Sequence, residues 1–403
     1  MKTRNVVITG VGLCTPLGNS LDELAGAFAA GRSAIRHVGG NGRIRVAACV
    51  EQDLSEGLSR NEASVFDRTS QLSVRAGDAA FRDAGLTLAR MDGARGGVFL
   101  GCGSGPSHSS FETYQAICQN GTVKGLALLR CLANAPASHL SIRWQLRAAC
   151  QTYAVACASA AMALGEAMRA IRHGYLDLAL AGGVEAPLGE GVVRAWEALR
   201  VLARPDQDSP GATCRPFSAD RNGIVLGEGA ALFVLESEES ALARGATIYA
   251  RFAGYGCSAD ASHLTSPSVA GQTVAMRAAL ADAQLEPADI GYINAHGTAT
   301  KAGDLAETRS VRQVFGSHAD AVPMSSTKSM HGHLLGASGG IELAATVIAL
   351  RKGLLPPTAH LEVPDPECDL DYVAKVARHG VKLRAAMSNS FAFGGSNSCL
   401  IIN

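Results

Sequence analysis

The chain has 403 residues, 47% of them hydrophobic and 18% charged, and its formal net charge is zero. This length supports a large buried core, and the neutral charge excludes the electrostatic attraction that binds nucleic acid or an anionic membrane surface. Apolar runs stay below the roughly 20 residues that a membrane-spanning helix needs. Eleven cysteines, with no Cys-x-x-Cys pair among them, favour buried thiols in a reducing cytoplasm over disulfides or a zinc site. We therefore expect a cytoplasmic protein that binds neither nucleic acid nor a membrane.

Segments with the spacing of strands and of helices alternate along the chain. Apolar runs predict strands at 5–12, 97–100, 152–156, 177–181, 230–235, 248–255, 290–294, 385–387 and 398–402. Helical spacing of apolar residues is found at 158–173, 271–283 and 340–352. This alternation predicts an α/β fold in which helices cover a largely parallel or mixed sheet.

Cys157 lies where a predicted buried strand, ending at Ala156, passes into a predicted helix. A thiol in that position is at the positive end of the helix dipole, beside unpaired backbone N–H groups. Such a setting commonly lowers a thiol pKa to ~3.5–7.5, so we expect a thiolate nucleophile at neutral pH. The alternative interpretation is a small buried core cysteine, and catalytic partners elsewhere in the chain would decide between the two.

Three polar turns, each after a predicted strand or a short apolar run, supply such partners. They are 294–300 (NAHGTAT), 325–333 (SSTKSMHGH) and 389–397 (NSFAFGGSN). Active sites of α/β proteins lie at the ends of strands, on turns of this kind. We therefore predict that His296, Lys328 and His333 join Cys157 in one site.

With these motifs in this order, the chain resembles the β-ketoacyl-[acyl-carrier-protein] synthases of the elongating type II class, in the thiolase superfamily. The resemblance runs nearly end to end, through 6–18 (VVITGVGLCTPLG), 215–229 (RPFSADRNGIVLGEG) and 260–267 (DASHLTSP). His333 separates the chain from the initiating and chalcone-synthase branch, which has asparagine in this role. Thiolases would need a second catalytic cysteine, and Cys399 lies outside the Gly-rich turn.

The resemblance implies a five-layered αβαβα sandwich of two duplicated thiolase-like halves. Residues 1–250 would form the half with the nucleophile, and residues 251–403 the half with the two histidines and the lysine. It also implies a decarboxylative Claisen condensation of an acyl thioester with malonyl-[acyl-carrier-protein], giving β-ketoacyl-[acyl-carrier-protein]. No bound cofactor is expected, because the substrates are carried on the phosphopantetheine of an acyl carrier protein.

The resemblance implies a role for each catalytic side chain. Cys157 would take the acyl group from a carrier thioester. His296 and His333 would donate hydrogen bonds to the enolate oxygen formed from the malonyl group. Lys328, paired with Glu342, would organise the site rather than titrate.

Further roles follow from the same resemblance. The Phe393-Gly394-Gly395 turn would form the gate of the site, and the backbone N–H of Phe393 would share an oxyanion hole with that of the nucleophile. Thr298 and Thr300 would hydrogen-bond the amides of the phosphopantetheine arm.

Several positions depart from the usual pattern of the family. Ser104 stands where a bulky aliphatic residue commonly limits acyl length, and Trp196 replaces a smaller aromatic residue in the expected acyl pocket. The segment 60–66 contains one arginine where a basic run usually docks the carrier protein, which leaves Lys124 and Arg200 as candidate docking charges.

These departures leave the pathway open between two alternatives. One is a specialised polyketide, polyene or aryl-polyene ketosynthase, working as a heterodimer with a catalytically silent chain-length-factor subunit. The other is a housekeeping enzyme of fatty-acid synthesis, and the sequence does not decide between a homodimer and a heterodimer. A non-condensing structural subunit would lack Cys157, so we disfavour that interpretation.

Two short patterns around His333 are typical of sites that we do not predict here. Residues 336–340 (GASGG) fit the Gly-x-Ser-x-Gly elbow of hydrolases, but that elbow needs a strand directly before it. We interpret these residues as a site of close helix packing. His331-x-His333 has no third ligand nearby in the sequence, so no metal is predicted.

Overall fold

The computed structural model describes residues 3–39, 45–123 and 125–403. Ten of its strands form one sheet, and two form a separate hairpin. The strands are β1 (Val6–Cys14), β2 (Ile35–Val38), β3 (Arg45–Ala48), β4 (Gly96–Gly101), β5 (Ala149–Tyr153), β6 (Leu178–Glu185), β7 (Gly229–Ser237), β8 (Ala250–Ala259), β9 (Ile290–Asn294), β10 (Met324–Ser325), β11 (Ala385–Phe391) and β12 (Ser396–Ile402).

The large sheet consists of two five-stranded halves with the same topology. The first half has the order β5-β4-β6-β7-β1 and the second the order β10-β9-β11-β12-β8. In each half the first three of these strands are parallel, and the last two strands pair antiparallel. A short antiparallel contact between β1 and β8, around Ile8 and Ala250, joins the halves. The division that we placed after residue 250 remains a prediction.

Helices cover the outer face of each half-sheet, and further helices lie between the two half-sheets. They are α1 (Leu21–Ala29), α2 (Arg60–Val65), α3 (Arg68–Asp83), α4 (Ser107–Asn120), α5 (Ala127–Cys131), α6 (Ala135–Trp144), α7 (Ser159–Arg172), α8 (Glu190–Ala198), α9 (Glu238–Ala243), α10 (Val269–Ala283), α11 (Lys301–Phe315), α12 (Lys328–His331) and α13 (Ser338–Lys352). No helix among the described residues is long and apolar enough to cross a bilayer.

The layers follow from the two-residue period of the strands. On β6, Ala179 packs in the same core cluster as Leu164 of α7, whereas its neighbour Leu180 packs with Leu72 of α3. Helices α7 and α13 contact strands of both half-sheets, α3 and α6 cover the outside of the first, and α10 and α11 cover the outside of the second. The fold is the expected thiolase-like αβαβα sandwich.

The strand before the nucleophile differs from its prediction. The sequence predicted a buried strand that ends at Ala156, but β5 ends at Tyr153 and is partly exposed at the edge of the sheet. Ala156 has a φ of +47°, a left-handed conformation that a strand residue does not adopt. The chain therefore turns before Cys157. The helix predicted at 158–173 is confirmed as α7.

Candidate active site

Three predicted side chains meet at one end of a cavity of about 240 Å³. The Sγ atom of Cys157 and one ring nitrogen each of His296 and His333 lie within 4.8 Å of one another. The shortest contact joins His333 Nε2 to Cys157 Sγ, at 3.0 Å. The two imidazole rings meet edge to face, with their centroids 5.5 Å apart. All three side chains are buried.

The local fold explains why these residues meet. Cys157 lies on a 3-10 turn directly before α7, His296 follows the end of β9, and His333 follows α12. Strands β9 and β10 are parallel neighbours, so the turns after them open at the same edge of the sheet. The nucleophile comes from the first half of the molecule and the histidines from the second.

The pKa of the Cys157 thiol differs from the sequence prediction. Burial raises its pKa to about 12, and the positive charge of Lys328 and a hydrogen bond from the backbone N–H of Phe393 offset this only in part. The prediction of a lowered pKa is therefore wrong, because the cost of desolvating a thiolate exceeds what the helix terminus returns. A protonated thiol needs a base, and His333 Nε2 is within hydrogen-bond reach.

Both histidines are neutral. Burial, followed by the charge of Lys328, holds the pKa of His296 and of His333 well below the usual range. The backbone of His296 is held on both sides: its N–H donates to Glu307 at 2.9 Å, and its carbonyl accepts from Lys328 Nζ. On His333, Nδ1 lies 2.7 Å from Ser338 Oγ. Each neutral imidazole can present one N–H to the cavity.

The predicted contact between Lys328 and Glu342 is present. Both side chains are completely buried and form an ion pair. Burial raises the pKa of Glu342 to about 7, while the lysine charge acts in the opposite direction. Because the same ammonium group donates to the carbonyl of His296, it ties α12 and α13 to the turn after β9.

The Gly-Gly turn has the backbone conformation that only glycine adopts readily. Gly394 and Gly395 have φ values of +85° and +77°. The N–H of Gly394 donates to the carbonyl of Leu264 at 2.7 Å, and the N–H of Asp260 donates to the carbonyl of Gly395 at 2.8 Å. This arrangement aims the N–H of Phe393 at Cys157 Sγ.

The two threonines predicted to bind pantetheine line the same cavity as the catalytic groups. Thr298 Oγ1 and Thr300 Oγ1 are 3.0 Å apart and hydrogen-bonded to each other. Because both residues line the cavity that contains Cys157, their hydroxyl groups can also hydrogen-bond a ligand that enters it.

The two residues assigned to the acyl pocket, Trp196 and Ser104, have different surroundings. Trp196 stacks against Phe393, with ring centroids 6.1 Å apart. Ser104 is exposed, and its backbone N–H donates to Glu185 at 2.9 Å. Neither is among the residues that line the cavity at Cys157, and their assignment stays a prediction.

Of the two docking charges, Arg200 is exposed at the end of α8 and next to Val201, which lines the cavity. Lys124 lies outside the described residues. The docking role of both therefore stays a prediction.

Sequence reasoning missed two residues that hold the histidines in place. Glu307 accepts from the backbone N–H groups of His296 and Gly297. The sequence contains a sign of this role. Asp304 and Glu307 are two acids one turn apart on the buried face of α11, and buried carboxylates need a partner. The other is Ser338, whose motif we interpreted as helix packing only.

Comparison with known proteins matches most of the chain. The family profile described as Beta-ketoacyl synthase, N-terminal domain, matches residues 3–241, and the one described as Beta-ketoacyl synthase, C-terminal domain, matches residues 249–362. Nodulation protein E of Rhizobium sp. (strain N33) is 44% identical over 407 residues, which cover 98% of each chain. The 3-oxoacyl-[acyl-carrier-protein] synthase 2 of Synechocystis sp. is 38% identical over 409 residues, covering 99% of this chain and 98% of the relative.

Solved structures match over the whole length. One is described as a type II PKS acyl-carrier protein in complex with its ketosynthase bound to the hexaketide, with a TM-score of 0.93 and 30% identity, covering 100% of this chain and 99% of that one. Another is the ishigamide ketosynthase/chain length factor, with a TM-score of 0.92 and 32% identity at the same coverage.

Proposed function

Because the chain belongs to the β-ketoacyl synthase family, whose members are condensing acyltransferases of fatty-acid or polyketide elongation, we propose that Cys157, His296 and His333 carry out its two half-reactions. The enzyme joins an acyl thioester to malonyl-[acyl-carrier-protein], with loss of CO2. The observation that carries the assignment is the 3.0 Å contact between His333 Nε2 and Cys157 Sγ. It gives a protonated thiol the base that it needs.

The first half-reaction is acyl transfer. His333 Nε2 accepts the thiol proton while Cys157 Sγ attacks the thioester carbonyl. The negative charge on the carbonyl oxygen is met by backbone N–H groups of Cys157 and Phe393. The carrier sulfur then leaves and takes the proton from His333, which leaves an acyl-cysteine and a neutral imidazole.

The second half-reaction is decarboxylation and condensation. The malonyl carboxylate leaves as CO2, and the charge moves to the thioester oxygen of the enolate. N–H groups of His296 and His333 stabilise that oxygen, and neutral imidazoles suffice for this task. The enolate carbon attacks the acyl-cysteine, the lengthened chain leaves on its carrier, and Cys157 regains a proton from solvent. Thr298 and Thr300 hold the amides of the pantetheine arm in both steps.

Separate assays of the two half-reactions test these roles. Cys157→Ala should abolish acyl loading measured by intact mass, while Cys399→Ala, another buried cysteine, should load normally. His296→Ala should lose roughly 10²–10³ in malonyl decarboxylation. It should keep most of its loading, because His333 Nε2 is the hydrogen-bond partner of the thiol. His333→Ala should lose both. Thioester-linked acyl mass that persists on Cys157→Ala would overturn the assignment.

We assign the enzyme to a specialised pathway of polyketide or polyene type. Support comes from Ser104 and Trp196, which depart from the usual family pattern, and from the segment 60–66, whose net charge is zero. The identity to the nodulation protein is also higher than that to the 3-oxoacyl synthase. Housekeeping elongation is the second candidate, favoured by that synthase relative. Loading rates with saturated, polyunsaturated and aryl acyl-carrier thioesters separate the two, and a preference for saturated chains of ordinary length would favour the housekeeping role.

We further infer a second ketosynthase-fold subunit as partner. Large apolar side chains are exposed on α4 and α5, among them Tyr114 at 69% and Leu128 at 74% of full exposure. Helix α6 contacts both α5 and β5, and within the described residues β5 pairs with β4 alone and leaves one edge open. An open edge near an apolar surface is typical of a subunit interface, and a ketosynthase/chain length factor pair is among the structural matches.

The mass of the purified protein by light scattering tests this interface. We expect a dimer, and expect Leu128→Glu with Leu129→Glu to give monomers. The matched control is Tyr175→Glu with Leu242→Glu, which are 75% and 65% exposed on other surfaces and should leave the dimer intact. A monomer that dimerises only with a co-expressed chain-length factor would identify a heterodimer, and unchanged mass of the α5 variant would place the interface elsewhere.

A further inference from the structure

His333 is held by hydrogen bonds at both ring nitrogens. Nε2 is 3.0 Å from Cys157 Sγ, and Nδ1 is 2.7 Å from Ser338 Oγ. Ser338 is completely buried and is the first residue of α13. Within the part of the chain that the structure describes, these are the hydrogen bonds of the ring, so a continuous row runs from the thiol through the imidazole to one hydroxyl.

The two half-reactions place opposite demands on Nε2. To take the proton of the Cys157 thiol, Nε2 must have a free lone pair, so the ring proton is on Nδ1. To donate to the enolate oxygen, Nε2 must carry the proton, so Nδ1 has the lone pair. A neutral imidazole has one ring proton, and the low pKa of His333 keeps the resting ring neutral, so the ring holds a second proton only while the thiol proton passes to the carrier sulfur. The ring must therefore change tautomer between the steps.

We propose that Ser338 is the positioning residue that makes both tautomers of His333 available. This rests on the function proposed above and names the residue that serves it. A hydroxyl group donates or accepts by rotating about its C–O bond. In the free enzyme Nδ1–H donates to Ser338 Oγ, and Nε2 accepts from the thiol. In the acyl-enzyme the Ser338 hydroxyl donates to Nδ1, and Nε2–H points at the cavity.

The exchange is balanced. It moves one proton from Nδ1 to Nε2, with water as the proton carrier, and changes neither the charge nor the composition of the ring. A carboxylate in place of Ser338 would only accept and would hold the first tautomer, whereas a backbone N–H would only donate and would hold the second. A serine hydroxyl at 2.7 Å from Nδ1 satisfies that nitrogen in either state.

Nitrogen-15 resonances of the imidazole report the tautomer directly, without an activity assay. The protein is labelled with 15N-histidine, and His333→Asn assigns the signal. We expect Nδ1–H in the free enzyme and a shift of population toward Nε2–H after Cys157 is alkylated with iodoacetamide, which removes the thiol proton. The same tautomer in both states would overturn the proposal, even if Cys157 is confirmed as the nucleophile.

Variants give the second test. Ser338→Ala should slow acyl loading and malonyl decarboxylation alike, each roughly tenfold, because one buried hydrogen bond is lost in both. Ser338→Thr keeps the hydroxyl and should recover most of both rates. Thr346→Val removes a buried hydroxyl from the same helix, one that donates to the carbonyl of Glu342, and should change neither rate.

The results of the variant test bear on the tautomer switch as follows from the rates and from the folding of Ser338→Ala. Loss of only one half-reaction in Ser338→Ala, in a protein with an unchanged thermal unfolding midpoint, would show that the hydroxyl serves one tautomer and would contradict the switch. A Ser338→Ala chain that does not fold leaves the decision to the labelled unmodified protein. Absence of acyl loading in the unmodified protein would count against the proposed function, while the tautomer measurement would still stand by itself.

Discussion

At Cys157 two opposing physical effects act on one sulfur atom. Burial favours the thiol, and the charge of Lys328 and the N–H of Phe393 favour the thiolate. The start of α7 acts in the same direction as the lysine charge. Burial wins, because removing a charged sulfur from water costs more than a helix terminus, worth about 0.3–1 kcal/mol, can return. We therefore expect the thiol to be protonated at rest and to lose its proton to His333 during the reaction.

This balance predicts the pH dependence of alkylation at Cys157. With a thiol pKa of about 12, the thiolate fraction rises about tenfold per pH unit throughout the neutral range. The rate of modification by iodoacetamide, followed by peptide mass spectrometry, should therefore climb from pH 6 to pH 9 without levelling. Glutathione, a free thiol alkylated under the same conditions, serves as the reference. A plateau near pH 7 would mean that the thiol pKa is lowered to that range, and would contradict the dominance of burial.

The ion pair of Lys328 and Glu342 predicts an asymmetric effect on stability. Lys328→Met leaves a carboxylate buried without its partner, and should lower the free energy of unfolding by about 3–5 kcal/mol. Adding Glu342→Gln removes the uncompensated charge and should recover part of that loss. Urea denaturation measures both variants. Equal stability of the single and the double variant would show that the pair is not coupled as its burial implies.

Among the secondary-structure elements, the turn between β11 and β12 sets the position of the N–H of Phe393. Two glycines with positive φ bring the N–H of Phe393 to the nucleophile, and the segment 260–264 holds them there through backbone hydrogen bonds. On the other side, Trp196 of α8 stacks against the Phe393 ring. The position of one backbone N–H thus depends on contacts from separate parts of the chain.

Gly395→Ala tests that dependence. A Cβ at Gly395 would lie 2.7 Å from Cβ of Asp260, so the turn must shift and carry Phe393 away from Cys157. Acyl loading should fall at least tenfold by analogy with the loss of one oxyanion-hole donor. Gly380→Ala is the matched control, because Gly380 has a similar φ of +71° and open space around it. Equal effects of the two substitutions on loading would mean that backbone strain alone is responsible.

On the scale of the whole molecule, the site exists only when both halves are assembled. Cys157 belongs to the half built on β1 and β4–β7, and the histidines belong to the half built on β8–β12. The central helices α7 and α13 pack against each other and against both half-sheets. Under the function proposed above, a carrier protein must reach the cavity at this junction, so we expect it to dock where the two halves meet.

Docking should depend weakly on salt, since net charge is zero and the segment 60–66 contains one arginine and one glutamate. Screening lengths fall from ~10 Å at 0.1 M salt to ~3 Å at 1 M, so only charged contacts would weaken. Arg200→Glu should raise the KM for the carrier and leave kcat unchanged. Arg90→Glu, exposed before the start of β4, is the control. A steep salt dependence without effect of Arg200→Glu would move the docking surface to the partner subunit.

Local pattern was enough to predict the α/β class, the helix after Cys157 and the residues that meet at the cavity. Periodicity is a property of neighbouring residues, and each motif is a short turn whose chemistry is carried by its own side chains. The pairing of Lys328 with Glu342, which lies on the predicted helix after the motif, was expected from the family resemblance and is present. The sequence by itself therefore determined which residues come together at one site and which kind of fold brings them there.

Tertiary structure alone decided how those residues behave. The thiol pKa depends on desolvation by atoms from both halves of the chain, and no local pattern reports that. The edge position of β5 depends on which strands pair, and the contact of Ser338 with His333 depends on where α13 begins relative to the second histidine. Burial, dielectric environment and hydrogen-bond partners are properties of packing between distant residues, so they are set only once the chain has folded.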